Sequence, residues 1–244
     1  MEKTRGIVLH ALKYGDSSLI VDIYTERNGS VPFLVRLPRG RKASVRSVFF
    51  RPLTLLELDY QWRPKASLQH IKDVRIAYPY ASLPYQVHKS AIALFLSEFL
   101  YCALRREECN PPLFAYLCHS LQWLDRCEER FANFHTVFIL RLTRFLGFYP
   151  NVEAYHAGDY FDLQNACFVG CRPFHNAWLS PEEARNIPFL MRMNYDTMHL
   201  FAFSRAERIR LLAVLNDYYR LHIPDFPELK SPEVLHEEKK KKTG

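Results

Sequence analysis

Apolar and polar positions alternate with a period of two through much of the first eighty residues. Leu19, Val21 and Ile23 interleave with Ile20, Asp22 and Tyr24, and segments at about 5–13, 30–38, 53–62 and 68–77 are similarly rich in Val, Ile, Leu, Tyr and Phe. That period puts successive side chains on opposite faces of a pleated ribbon, so it predicts five strands. Asn28-Gly29 falls between the second and third and supplies the positive φ angles of a tight hairpin. Pro32 then belongs at a strand start or on an edge. Five short antiparallel strands in so short a span fit a small closed barrel, because closure removes exposed strand edges; the OB-fold is the natural candidate.

From about residue 82 the period changes. Val87, Ala91, Leu94, Phe95 and Cys102 recur at three- and four-residue spacing, with Pro84 in the first turn of a helix that extends to about Arg106. Asn110-Pro111-Pro112 caps a second helix with a Leu113, Leu117, Leu121, Leu124 stripe, and a third is expected from about Phe131 to Leu146, ending at Gly147. Ser180-Pro181-Glu182-Glu183 and Ser204-Arg205-Ala206-Glu207 both have the spacing of a capping box and predict two further helix starts. Ser231-Pro232-Glu233 predicts a last short helix before a charged tail.

Charge sharpens this division. Residues 1–80 hold fourteen Lys/Arg against seven acids, whereas the other 164 hold nineteen of each, so the formal charge of +7 lies wholly in the first third. Such a field concentrates polyanions, and nucleic acid is the commonest polyanion a protein meets; a merely solubilising surface is the plainer alternative. Between the third and fourth strands, Arg36, Arg39, Arg41, Lys42 and Arg46 crowd eleven positions that contain no acid. Pro38 and Gly40 make this a loop, whose side chains and amides can approach phosphates. Lys13, Arg63 and Lys65 extend the basic set. Most aromatic rings here belong to the barrel core, but Tyr14 in the first turn and Trp62 before Arg63 are expected to be exposed and able to stack on bases.

The 48 % apolar composition supports folded cores. No stretch has the roughly 18 uncharged apolar residues of a membrane span, and the N-terminus has no export signal, which together predict a cytoplasmic protein. The six cysteines are then expected to be reduced.

Particular residues, in this order and spacing, give the chain a resemblance to the RecO family of bacterial recombination mediators. They are Gly6-Ile7-Val8-Leu9, Tyr14-Gly15-Asp16-Ser17-Ser18-Leu19-Ile20-Val21, Thr25-Glu26, Gly29, Arg41-Lys42, Leu146-Gly147-Phe148-Tyr149-Pro150, Tyr218-Tyr219 and Leu229-Lys230-Ser231. The resemblance implies an α+β multidomain chain: an OB-fold barrel over 1–80, an all-α helical body over 81–150 and 179–244, and a small insertion over 151–178. It also implies binding of single- and double-stranded DNA, annealing without ATP, docking of the C-terminal tail of single-strand binding protein, and loading of RecA with RecR. For the tail, an acidic peptide with a terminal aromatic ring, the third helix offers Arg130, His135, Phe138, Arg141 and Arg144; its alternative is an ordinary core helix.

Some family members hold zinc in the insertion through two Cys pairs. Here the segment after Pro150 reads Asn151-Val152-Glu153-Ala154-Tyr155-His156, without cysteine. Cys167 and Cys171 remain at a wider spacing, with His156 and His175 as the nearest additions, so no cofactor is expected and the insertion should be a metal-free hairpin of Tyr160–Leu163 with Cys167–Val169. Catalysis has no support in the sequence. His156, Asp159 and Asp162 form the best carboxylate cluster but sit at a turn, and no phosphate loop of the G-x-x-x-x-G-K-[ST] type occurs. An OB-fold RNA-binding protein is the competing function that charge and barrel leave open.

Overall fold

The computed structural model describes residues 2–37 and 47–229. Within them the chain forms two compact units, one running to Arg126 and the other spanning Cys127–Glu228. The end of the barrel is therefore not the limit of the first unit, which also takes in two helices.

Five strands, Glu2–Tyr14 (β1), Ser18–Thr25 (β2), Gly29–Arg36 (β3), Leu55–Tyr60 (β4) and Gln69–Ile76 (β5), close in the order β1-β2-β3-β5-β4. This is the OB-fold barrel that alternation predicts. Closure depends on the length of β1: its first half pairs with β4 from Glu2↔Tyr60 to Ile7↔Leu55, and its second half pairs with β2 as far as Tyr14↔Ser18 after a register shift at Val8/His10. The shift lets one strand turn a corner and serve two neighbours. Val8, Val21, Ile23, Val31, Phe33, Leu58, Tyr60 and Val74 fill the interior. Gly29, with φ +66°, closes the β2–β3 hairpin, and a Cβ on it would lie 2.4 Å from the carbonyl oxygen of Glu107. Ser30 N donates to that same carbonyl at 3.1 Å, so the hairpin is tied down where only glycine fits.

Two helices complete this unit, α1 (Val87–Leu104) and α2 (Pro111–Arg126). In α1, Ser97 Oγ donates to the carbonyl of Leu9, and Tyr101 stacks on His10 with ring centroids 4.7 Å apart. The helix is long and apolar enough to cross a membrane by composition, but more than half of it is buried within the protein. Asp125, at the end of α2, accepts hydrogen bonds from the backbone N–H groups of Ala81, Ser82 and Leu83 at 2.7–3.0 Å, and Lys89 Nζ donates to its carbonyl at 2.9 Å. Burial opposes ionisation of Asp125, but these amides and the Tyr78 hydroxyl outweigh it and hold the carboxyl below the usual range. The segment leaving β5 is thereby anchored by a carboxylate that the apolar pattern could not disclose.

The second unit is built around α3 (Phe134–Leu146), whose last turn ends at Gly147 with φ +87°. A three-stranded sheet of β6 (Tyr160–Asp162), β7 (Cys167–Val169) and β8 (Trp178–Leu179), in the order β7-β6-β8, replaces the simple hairpin the sequence suggests. Short helices α4 (Pro181–Ala184) and α5 (Ile187–Arg192) lead to α6 (Arg205–His222). Both expected caps are formed: Ser180 Oγ accepts from Glu183 N, and Ser204 with Glu207 makes a reciprocal capping box. Tyr219 fixes α6 to α3 by donating to the Ile139 carbonyl at 2.8 Å. The helix expected at Ser231 lies outside the described residues.

Candidate nucleic-acid interface

Strand register decides which side chains can meet a polymer lying across the barrel. Val21, Phe33 and Val35 point into the core, so their neighbours along each strand point out. Tyr14 on β1, Ser18 on β2 and Arg36 on β3 are cross-strand partners and form one outward row. The next outward row is Leu12, Ile20, Leu34 and His70, continuing onto β5. Tyr14 is 57 % exposed and Leu12 56 % exposed. The outer face of β1–β3 therefore presents an aromatic ring, an apolar strip and a cation side by side, a combination suited to unstacked bases and a phosphate.

Lys13 follows the opposite alternation and extends beyond the filled part of the barrel, exposed. Leu37 N donates to Ser17 O at 2.7 Å, which brings the chain following Arg36 to the β1–β2 turn. Arg39, Arg41, Lys42 and Arg46 lie outside the described residues; they follow directly in sequence from this point.

Arg63 and Lys65 occupy the β4–β5 connection, both exposed. Buried Gln69 shapes that connection: its amide oxygen accepts from Arg63 N at 3.0 Å, and its amide nitrogen donates to Arg63 O at 2.8 Å. Trp62 departs from expectation. Its ring meets Tyr60 edge-on at 6.4 Å and packs against the barrel core, half-buried. Of the two expected stacking rings, Tyr14 alone stands largely free.

Pairing separates the basic residues of the barrel. Arg5 makes a bidentate contact with Glu26 at 2.6 and 2.9 Å, and this hydrogen bond, more than any other influence, lowers the Glu26 pKa. Lys13, Arg36, Arg63 and Lys65 make no ion pair among the described residues, so their charge faces solvent. Leu12, Ile20 and Leu34 were not singled out by the sequence. The signal was the unbroken Leu19-Ile20-Val21, which makes both faces of β2 apolar.

In the second unit, α3 does not offer the slot expected of it. Phe134 and Phe138 are fully buried and His135 is 6 % exposed, because this helix is the core of its unit. Arg141 is half-buried, with Nε and Nη2 both donating to the Met193 carbonyl at 3.3 Å. Arg130, held at φ +64°, and Arg144 remain exposed cations.

The insertion shows the same internal use of charge. Asp162, 4 % exposed, accepts from Gln164 N at 2.8 Å, Asn165 N at 3.1 Å and Asn165 Nδ2 at 2.7 Å, and lies 3.3 Å from His175 Nε2. Ala177 N donates to His175 Nδ1 at 3.2 Å, which leaves Nε2 to carry the proton toward Asp162 when the ring is neutral. Burial works against ionisation of Asp162, but its hydrogen bonds prevail and hold its pKa below the ordinary value. His156 instead faces Asp159 at 3.6 Å. The four residues considered for zinc are thus divided: Cys171 is exposed, Cys167 lies across from Asp162, and each histidine has its own carboxylate. Among the described residues no three His, Cys, Asp or Glu side chains converge as a metal site would require. The His156, Asp159, Asp162 cluster is likewise split between two hydrogen-bond systems.

Comparison with known proteins agrees with this architecture. The family model for the recombination protein O N-terminal region matches residues 1–80, and that for its C-terminal region matches residues 84–232. The DNA repair protein RecO of Phocaeicola vulgatus is 58 % identical over 237 residues, covering 97 % of this chain and 98 % of its own. That of Bacteroides fragilis is 58 % identical over 238 residues, with 97 % and 98 % covered. The RecO of Porphyromonas gingivalis is 32 % identical over 238 residues, with 95 % and 96 % covered. A barrel and a helical body matched from end to end place this chain in the RecO family, with a role in DNA repair and recombination.

Proposed function

We propose that this protein is a DNA-binding recombination mediator that works by binding and not by catalysis. In this reading the barrel holds single- and double-stranded DNA, anneals complementary strands without ATP and, with RecR, helps load RecA onto DNA coated by single-strand binding protein. The observation that carries it is the outward Tyr14–Ser18–Arg36 row beside the apolar strip, at the end from which the basic segment departs. Such a face holds a strand through phosphates and ring faces and needs no base-edge readout, as a protein that acts at any sequence requires. Fluorescence anisotropy with labelled single-stranded DNA, in competition with RNA of the same sequence, tests it. Preference for DNA, together with annealing that persists without nucleotide, is expected; preference for RNA would overturn the assignment.

The tail of single-strand binding protein is proposed to dock on the second unit through the exposed cations Arg130 and Arg144, since its carboxylates need charge-assisted partners. Arg141 serves the fold at Met193 and Phe138 serves the core, so neither belongs to this contact. Charge reversal at Arg130 and Arg144 should weaken tail-peptide binding about tenfold, or about 1.4 kcal/mol, and spare naked DNA.

The insertion is proposed to fold without zinc, supported by the hydrogen bonds that already fill the Asp162 carboxylate. Elemental analysis of the purified protein should find zinc well below one per chain, and chelators should leave its melting temperature unchanged.

A further inference from the structure

The loop between β7 and β8, residues 170–177, carries the most exposed large apolar side chain among the described residues. Phe174 is 110 % exposed, and its ring touches no other described ring. The residues on either side of it are anchored. Arg172 lies over the Trp178 ring, 4.7 Å from its centroid, and Trp178 meets Tyr160 of β6 edge-on at 5.3 Å. His175 is held on two sides: Nε2 lies 3.3 Å from Asp162 Oδ2, and Nδ1 accepts from Ala177 N at 3.2 Å. Pro173 fixes one backbone torsion between these two anchors. The fold therefore holds Phe174 out in water, at the standing cost of exposed apolar surface.

Charge and surroundings indicate what the ring meets. No acid occurs from Leu163 to Pro181. The acids just before that stretch, Asp159 and Asp162, have side chains only 13 % and 6 % exposed, and both accept hydrogen bonds within the fold. Arg172 is exposed and makes no ion pair among the described residues, so the tip of the loop is positive and attracts an anion. The other exposed side chains of the loop are Cys171, Arg172 and Asn176, none of them a large apolar group. Phe174 thus lacks the apolar surroundings that form the core of a protein interface. A single ring beside a cation suits a nucleotide, whose base needs only a flat face to stack on and whose phosphate needs the charge.

We propose, resting on the DNA-binding and annealing role given to the chain above, that the loop tip is a second DNA contact: Phe174 stacks on an unpaired base of a second strand, and Arg172 meets its phosphate. The first strand lies on the outer face of β1–β3. Annealing brings two strands together, and a contact on each unit lets one chain hold both. Stacking of this kind is tolerant of sequence, because every base has a π-face.

Photo-crosslinking of the full-length protein to oligo(dT) carrying 5-iododeoxyuridine, which forms adducts with stacked aromatic rings, tests the contact directly, with adducts located by peptide mass spectrometry. Adducts at Tyr14 are expected at low strand-to-protein ratio, joined by adducts at Phe174 once strand exceeds protein. Adducts at Tyr14 with none at Phe174 at any ratio would overturn the second contact and leave the barrel site standing. No adduct anywhere, with no change in anisotropy, would overturn DNA binding itself. Phe174→Ala should anneal complementary oligonucleotides at least fivefold more slowly, with an unchanged melting temperature and an affinity for one strand within twofold of the unaltered protein. Phe174→Trp, which keeps a ring, should restore the rate. An unaltered rate in Phe174→Ala, or an equal loss in Phe174→Trp, would overturn stacking at the tip. If the unaltered protein does not anneal, the annealing role falls, and the adducts alone decide the second contact.

Discussion

The barrel and the second unit differ in what becomes of the charged residues singled out in each, although Arg5 on the barrel is paired and Arg130 and Arg144 in the second unit are exposed. On the barrel, Lys13, Arg36, Arg63 and Lys65 stand clear of the described acids. In the second unit, Arg141 is bonded to a backbone carbonyl, Arg210 to Glu183, and Asp162 to four donors from its own sheet and loop. A surface that meets DNA must leave cations free to exchange counterions for phosphates. The second unit uses these charges to tie its own sheet, loops and helices together.

The most severe way to break this contrast is to reverse the free charge. Replacing Arg39, Arg41, Lys42 and Arg46 by Glu should lower single-stranded DNA affinity at least 1000-fold, about 4 kcal/mol. The salt slope should fall by about 0.7 for every phosphate that is no longer neutralised. Anisotropy titrations across a salt series measure both, with far-UV circular dichroism as the check on folding; strong binding at moderate salt would remove this segment from the DNA path.

A smaller effect is expected from the internal charges. Asp162→Ala should cost the protein roughly 2–3 kcal/mol by leaving buried donors unpaired, read by urea unfolding, and should leave DNA affinity unchanged. The pH dependence has a definite sign. The Asp162 pKa is lower in the folded than in the unfolded protein, so its stabilisation is complete above the ordinary carboxylate pKa and is lost as pH falls through the lower folded value. Asp125 acts in the same direction. The unaltered protein should therefore lose stability in acid below about pH 4, and the slope there should be shallower in Asp162→Ala.

The mildest test sharpens the comparison within the barrel. Tyr14→Ala should weaken single-stranded DNA binding by about 1–3 kcal/mol with little change in salt slope, since it removes a stacking ring and leaves the cations in place. Trp62→Phe, at a ring already packed on Tyr60, should change affinity less. A larger effect at Trp62 than at Tyr14 would mean that bases lie over the β4–β5 connection instead of the β1–β3 face.

Much of this protein could be read in its sequence because the relevant signals are local. Alternation set the five strands, Asn28-Gly29 their hairpin, and the serine–glutamate pairs two helix starts, each a matter of residues within four positions of one another. The uneven charge named the partner class, since net field depends on composition along the chain and not on packing. Register, burial and long-range pairing were decided only in three dimensions. Phe138 and Arg141 looked like a slot because helical spacing cannot tell an inward ring from an outward one, and neighbouring elements sealed it. Tyr14, Ser18 and Arg36 became one row through the pairing of three strands, and Asp162 met His175 across thirteen residues because a sheet and a loop folded them together. Periodicity reports which residues share a face; only the packed chain determines what that face meets.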